Sequence, residues 1–127
     1  MSLIAVIAAA VAGLLHAYFF VLESLWFMRP AVYGRFGVHS AADAGTVRSF
    51  AYNQGFYNLF LAVGVAIGLW AVGYGDAAAG RSVVLFACGS MVAAGVVLVT
   101  HDRRFVVPAL VQAVPPLIAI GAIVALG

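Results

Sequence analysis

Long apolar runs alternate with short polar segments along the whole chain. Four runs stand out, near residues 3–28, 49–72, 82–100 and 108–126. Each is close to the ~20 residues that a helix needs to cross the hydrocarbon core of a bilayer. The strands of a membrane β-barrel would instead alternate apolar and polar side chains over about 10 residues. The pattern therefore predicts an all-α protein, a four-transmembrane-helix bundle in which residues 1–127 form one integral membrane domain.

Composition supports the same class of protein. Hydrophobic residues make up 66% of the 127 and charged residues only 8%, which excludes an ordinary soluble domain. The lipid bilayer is therefore the expected partner. The formal net charge of +2 comes from a few arginines between the apolar runs, so it reflects membrane topology and gives no reason to expect nucleic acid as a partner.

The arginines predict the orientation of the chain in the membrane. Five of the six lie in two connections, residues 29–48 and 101–107, whereas the connection between the second and third helices has only Arg81. Positively charged connections tend to stay in the cytoplasm. Both Arg-rich connections are therefore expected to be cytoplasmic, and both termini are expected to lie outside.

A pair of glycines in the second helix bears on packing. Gly64 and Gly68 form a GxxxG step on the outer half of that helix. Such a step lets two helices approach each other closely. The approach serves packing within one bundle or between the subunits of a homo-oligomer, and the sequence leaves both open.

Glu23 is the most unusual residue of the chain, because it is an acidic side chain inside the first apolar run. His16 lies seven residues earlier, and at 100° per residue the two side chains point within about 20° of each other. They are ~10 Å apart along the helix axis, so a ligand or a water chain could touch both, while a direct hydrogen bond is not expected. Intramembrane acidic residues are rare and mark pathways or sites. Glu23 and His16 are therefore the candidate catalytic residues.

Further polar side chains fall in the cytoplasmic half of the predicted bundle. The second helix begins with a polar run in which Asn53 and Tyr57, and also Gln54 and Asn58, are spaced i,i+4 on one broad face. Gln112 lies near the start of the fourth helix. An unpaired polar group in hydrocarbon costs several kcal/mol, so these side chains are expected to face inward. They are the candidate ligand-binding residues of a pocket that opens toward the cytoplasm.

The polar positions resemble those of a known family. Segment 16–19 followed by Glu23 and Trp26, segment 53–62, and Gln112 are similar to the domain of unknown function 1304 family. Members of that family are small bacterial integral membrane proteins of about this length, so the resemblance covers nearly the whole chain. It implies the same four-helix fold and a place in the bacterial inner (plasma) membrane. It supports the choice of pocket residues and implies no reaction.

Three functions fit these residues. The first is a ligand-binding protein or enzyme for a small lipophilic molecule, with Glu23 as acid or base and His16 as its partner. The second is a proton-coupled transporter, acting as an oligomer, in which Glu23 alternates between protonation and substrate binding. The third is a haem or metal protein with His16 as ligand, although no HxxxH or CxxCH pattern occurs. A purely structural role for the polar cluster is the alternative to all three.

Overall fold

The computed structural model describes all residues from Met1 to Gly127 and is all-α. Five α-helices follow one another: α1 (Leu3–Phe20), α2 (Pro30–Tyr33), α3 (Ala41–Tyr74), α4 (Ala77–His101) and α5 (Val106–Leu126). A π-helical turn, Val21–Leu25, continues α1, and short 3-10 turns lie at Gly34–Phe36 and Arg103–Phe105. There is no strand, as the uniformly apolar runs predict.

Four helical segments are long and apolar enough to cross a membrane. They are Leu3–Leu25, Ala41–Tyr74, Ala77–His101 and Arg103–Leu126. Each contains most of one predicted run, so the prediction of four transmembrane helices is confirmed. The chain is a multi-pass membrane protein.

Helix α3 begins at Ala41, well before the predicted start at residue 49. The Ser40 hydroxyl accepts a hydrogen bond from the backbone N–H of Asp43 over 3.1 Å, which caps the first turn. Asp43 itself lies in that turn, where the helix dipole favours a carboxylate. Residues 41–48 therefore fold as helix although they are too polar to belong to the apolar run.

Helix α4 is extended in the same way. It begins at Ala77 rather than at the predicted residue 82. The Asp76 carboxylate accepts hydrogen bonds from the N–H groups of Ala78 and Ala79 over 2.9 and 3.0 Å. These bonds satisfy two of the N–H groups that every helix leaves unpaired at its start.

The chain divides into two compact units. The first comprises residues 1–15 and 61–127, and the second comprises residues 16–60. All four long helices contribute to the core of the first unit, whose buried residues are Ala5, Ala8, Ala9, Ala12, Val65, Val84, Ala87, Cys88, Met91, Ala119, Ala122 and Ile123. Most members of this core are alanines, and such small side chains let the helices pack closely.

Within the first unit, α3 and α4 approach each other closely at Gly68 and Gly80. A Cβ at Gly80 would lie 2.6 Å from the carbonyl oxygen of Gly68 and 2.7 Å from the backbone nitrogen of Val72. A Cβ at Gly68 would lie 2.7 Å from Val84 Cγ2. A Cβ at Gly64, by contrast, would make only an ordinary contact at 3.8 Å. Gly68 of the predicted GxxxG step therefore serves packing within the chain.

The second unit has a small core of its own. Its buried residues are Phe27, Tyr33 and Ala44, with Val38 and Ala51 packed against them. Pro30 starts α2, where its fixed φ suits the first helical position. Gly37 ends the following 3-10 turn with a φ of 78°, a left-handed conformation that glycine adopts without strain. The connection from α1 to α3 is thus packed against the first turns of α3.

Gly80→Ala is expected to destabilise the protein by about 1–3 kcal/mol, because the new methyl group meets the backbone of α3. Gly89→Ala is the matched control in the same helix, since a Cβ there meets nothing within 4 Å. The control should be neutral or stabilising by up to about 1 kcal/mol, because alanine favours helix over glycine. Thermal unfolding in detergent measures both. Equal midpoints for the two variants would contradict the close approach.

Asp102, between the last two membrane segments, is paired with Arg104 over 2.7 Å. Side-chain hydrogen bonds from Arg104 are the main cause that lowers the pKa of Asp102 from 3.8 to about 2. Because the folded-state pKa is depressed, this stabilisation is complete above pH 3.8 and is lost as the pH falls through about 2. NMR titration of the carboxyl should therefore show a midpoint near 2 that moves toward 3.8 in Arg104→Gln. An unmoved midpoint would refute the assignment.

Candidate functional site

Glu23 lies in the π-helical turn that continues α1. In this turn the N–H of Trp26 bonds to the carbonyl oxygen of Val21 over 2.9 Å, so the turn holds one residue more than an α-helical turn. π turns inside helices are rare and often lie at functional sites. The side chain of Glu23 is buried, since the residue is only 9% exposed.

Glu23 and Asn58 form a buried hydrogen-bonded pair. Asn58 Nδ2 donates to Glu23 Oε1 over 2.6 Å, and Asn58 is also only 9% exposed. The bond brings together two of the residues predicted for the site. No second protein donor reaches the carboxyl, and its other oxygen, Oε2, is not among the fully buried atoms without a partner. The other carboxyl oxygen therefore has no hydrogen-bond partner within the chain and is not fully enclosed by it.

Gly55 lets α3 approach the π turn closely enough for this pair to form. A Cβ at Gly55 would lie 3.0 Å from the backbone nitrogen of Ser24 and 3.1 Å from Glu23 Cβ, and it would overlap the Ser24 hydroxyl. That hydroxyl donates to the carbonyl oxygen of Tyr52 over 2.7 Å. Two adjacent residues of the π turn are thus bonded to α3. Sequence reasoning missed Ser24, and the glycine inside a polar helical run was the available signal of close approach.

Aromatic rings also connect α1 and α3 next to the π turn. Phe20 and Phe56 meet edge to face with their centroids 5.0 Å apart. Phe56 also contacts the rings of Tyr52, at 5.0 Å, and Phe60, at 6.2 Å. An aromatic contact therefore joins the end of α1 to α3 next to the π turn.

The other three predicted residues of the polar run are exposed. Asn53, Gln54 and Tyr57 all lie on the surface, and Tyr57 is 60% exposed. At 100° per residue, Asn53 and Tyr57 point away from the face of α3 that carries Gly55 and Asn58. Only Asn58 of the run is hydrogen-bonded to Glu23.

His16 is buried, at 1% exposure, and its ring meets the edge of Phe19 with centroids 5.2 Å apart. The π turn begins at Val21, between His16 and Glu23 in the sequence, and contains Glu23. Because that turn adds a residue, the seven-residue spacing no longer sets the direction of Glu23 relative to His16. No group of three or more His, Cys, Asp or Glu side chains has the geometry to hold a metal ion.

Gln112 lies in the first unit, on α5, and is partly buried. Its Cγ would be 3.5 Å from a Cβ at Gly95, and that Cβ would also lie 3.0 Å from Ala113 Cβ. The aliphatic part of Gln112 thus packs where α4 and α5 approach each other.

Gly55→Ala is expected to destabilise the protein by about 1–3 kcal/mol, because the methyl group displaces Ser24 and strains the Glu23 pair. Gly45→Ala is the control in the same helix, since a Cβ there has open space. Ser24→Ala in the Gly55→Ala background removes the overlapping hydroxyl and should recover part of the loss. Thermal unfolding of the three variants checks this, and a Gly55→Ala protein as stable as Gly45→Ala would speak against it.

Comparisons with known proteins bear on the family of the chain. No curated protein and no solved structure matches the sequence. A family model described as "Protein of unknown function (DUF1304)" matches residues 10–124, a range that contains every candidate site residue. Because the match extends over nearly the whole chain, the protein belongs to the DUF1304 family, as the resemblance of segments 16–19 and 53–62 indicated.

Proposed function

We propose that this protein is a small inner-membrane protein whose Glu23 carboxyl binds a small lipophilic molecule with a cationic or hydrogen-bond-donating group. The supporting observation is the buried Glu23–Asn58 hydrogen bond, which uses one carboxyl oxygen and leaves the other for a second partner. Binding is the proposed function. Proton exchange between Glu23 and the bound molecule is the chemistry that such a carboxyl permits.

The cost of burying a carboxyl supports a ligand rather than a structural role. Taking an acidic group out of water is expensive unless several hydrogen bonds or a cation compensate it. Here a single amide, Asn58, bonds to the carboxyl. A carboxyl kept only to hold two helices together would be expected to have its second oxygen bonded as well. Acidic residues inside membrane helices are rare, and most serve pathways or sites.

The surroundings of the carboxyl indicate the chemistry of the ligand. The rings of Phe20 and Phe56, which meet next to the π turn, supply apolar surface, which favours a lipophilic body. The carboxyl oxygen is a hydrogen-bond acceptor and favours a cation or an N–H or O–H donor. A small lipophilic amine meets both requirements.

The arginines support access from the cytoplasm. Glu23 lies near the end of the first membrane segment, Leu3–Leu25, next to the Arg-rich connection that begins at Arg29. Positively charged connections remain cytoplasmic in bacterial inner membranes. We therefore place Glu23 in the cytoplasmic half of the membrane, with both termini outside.

The alternatives use the same residues. In a proton-coupled oligomeric transporter, Glu23 would have to be reached from both sides of the membrane. In a haem protein, the buried His16 would be the iron ligand. The exposed polar residues Asn53, Gln54 and Tyr57 would then line the route to the site or a contact between subunits. A binding site at Glu23 accounts for the Glu23–Asn58 hydrogen bond. It requires neither access from both sides of the membrane nor a haem at His16.

The Glu23→Gln variant tests the proposal. The glutamine oxygen can still accept the bond from Asn58, so stability should stay within about 1 kcal/mol of the parent. Binding of 2-phenylethylamine, measured by thermal shift and equilibrium dialysis in detergent, should weaken at least about tenfold because the charge is lost. Asp43→Asn, an exposed acidic residue of the second unit, is the control and should bind the amine as the parent does.

A neutral analogue of the amine and two further measurements distinguish binding at Glu23 from transport and from haem binding. The neutral 2-phenylethanol should bind the parent protein more weakly than the amine. Equal binding of the two compounds, or unchanged amine binding by Glu23→Gln, would overturn the proposal. A pH-dependent flux of the amine into proteoliposomes, abolished by Glu23→Gln, would replace it with transport. A Soret absorption band that disappears in His16→Ala would replace it with haem binding.

A further inference from the structure

Helix α3 is longer than a bilayer requires. Its 34 residues rise roughly 51 Å, whereas the hydrocarbon core is about 30 Å thick. The segment 59–72 is entirely apolar, and the polar residues of the helix lie toward its N-terminus, between residues 41 and 58. The first turns of α3 therefore lie at the level of the lipid headgroups.

One face of these first turns has a shallow depression, which we call the Arg48 groove. It is lined by Gly45, Arg48, Ser49 and Tyr52 and has a volume of about 370 Å³. The spacing i, i+3, i+4, i+7 places all four residues on the same side of the helix. A Cβ at Gly45 would meet nothing within 4 Å, so the glycine leaves the groove open.

The Arg48 groove combines donors that suit a phosphate group. Arg48 is exposed and takes part in no ion pair, since the ion pair of the chain joins Arg104 to Asp102. A guanidinium binds phosphate oxygens through two parallel N–H bonds, and the hydroxyls of Ser49 and Tyr52 add further donors. No carboxylate lines the groove to compete for the guanidinium.

Apolar side chains next to the groove suit the rest of a lipid. The Tyr52 ring is held against Phe56, with centroids 5.0 Å apart. Phe56 lies on the same side of the helix as the groove, seven residues after Ser49, and continues this surface along α3. Tyrosine and phenylalanine at this depth contact the glycerol and upper acyl region of a lipid while a polar tip faces the headgroups.

A second depression also combines an arginine and a hydroxyl with apolar side chains. Val99, Thr100, Arg103 and Val106 line it, where α4 ends and α5 begins. An arginine and a hydroxyl again stand beside apolar side chains, in the other Arg-rich connection. Both depressions therefore lie in the connections predicted to face the anionic cytoplasmic leaflet.

We propose that the Arg48 groove binds a phosphate ester at headgroup level, with a phosphatidylglycerol headgroup as its ligand. Arg48 pairs with the phosphate, the Ser49 and Tyr52 hydroxyls donate to its oxygens, and the lipid chain lies along Phe56. The groove uses neither Glu23 nor Asn58, so the proposal does not rest on the function proposed for Glu23.

Native mass spectrometry of the full-length protein in detergent tests the site. With added phosphatidylglycerol, the parent should retain lipid at least about tenfold better than with phosphatidylcholine. Arg48→Gln should reduce that retention about five- to tenfold. Gly45→Leu, which fills the groove without changing charge, should reduce it to a similar degree. Arg104→Gln is the control, because that guanidinium is already paired with Asp102, and it should change retention less than twofold.

Competition with inorganic phosphate distinguishes a lipid headgroup from free phosphate as the ligand of the groove. Retention unaffected by 10 mM inorganic phosphate assigns the site to the lipid headgroup, whereas displacement assigns it to free phosphate. Equal losses in Arg48→Gln and Arg104→Gln would overturn the proposal, because general surface charge would then explain the binding. Full retention by Gly45→Leu would overturn it as well, because the groove would not be the place of contact.

Discussion

The structure depends on the requirement that polar groups in hydrocarbon find partners within the chain. Backbone groups meet it through helices, which explains the four long apolar helical segments and the absence of strands. Polar side chains have no such standard solution, so each one inside a membrane segment needs a local arrangement. For Glu23 that arrangement consists of a π turn, a glycine on the neighbouring helix and one amide. These three features of the second unit together accommodate one buried carboxyl.

Glycine makes close approach possible in both units, with different consequences. Gly68 and Gly80 bring two apolar helix faces together, so that α3 and α4 meet through van der Waals packing of Val84 and the backbone. Gly55 brings a polar face of α3 against the π turn, where the Ser24 hydroxyl forms a hydrogen bond to the backbone of α3. The same residue type thus supports packing in one unit and a polar site in the other.

Hydropathy predicted the number and approximate position of the membrane helices, because apolar length is what a bilayer selects. It missed the starts of α3 and α4, since Ser40 and Asp76 extend these helices into polar segments through capping bonds rather than through apolar packing. A serine three residues before an acidic residue was a visible sign of such a cap. The need of Glu23 for a polar partner could be predicted, because an acidic residue in an apolar run is costly.

The choice of Asn58 as the partner of Glu23 could not be predicted from spacing. The i,i+4 pairs of the run span about 140° of the helix circumference, and the π turn shifts the face that Glu23 presents. Asn58 lies on the inner face of α3, where it is bonded to the buried carboxyl, whereas Asn53 and Gln54 are exposed on the surface. The polar run therefore extends over two differently exposed faces of the helix, and this accounts for a run of amides that no single pocket could enclose.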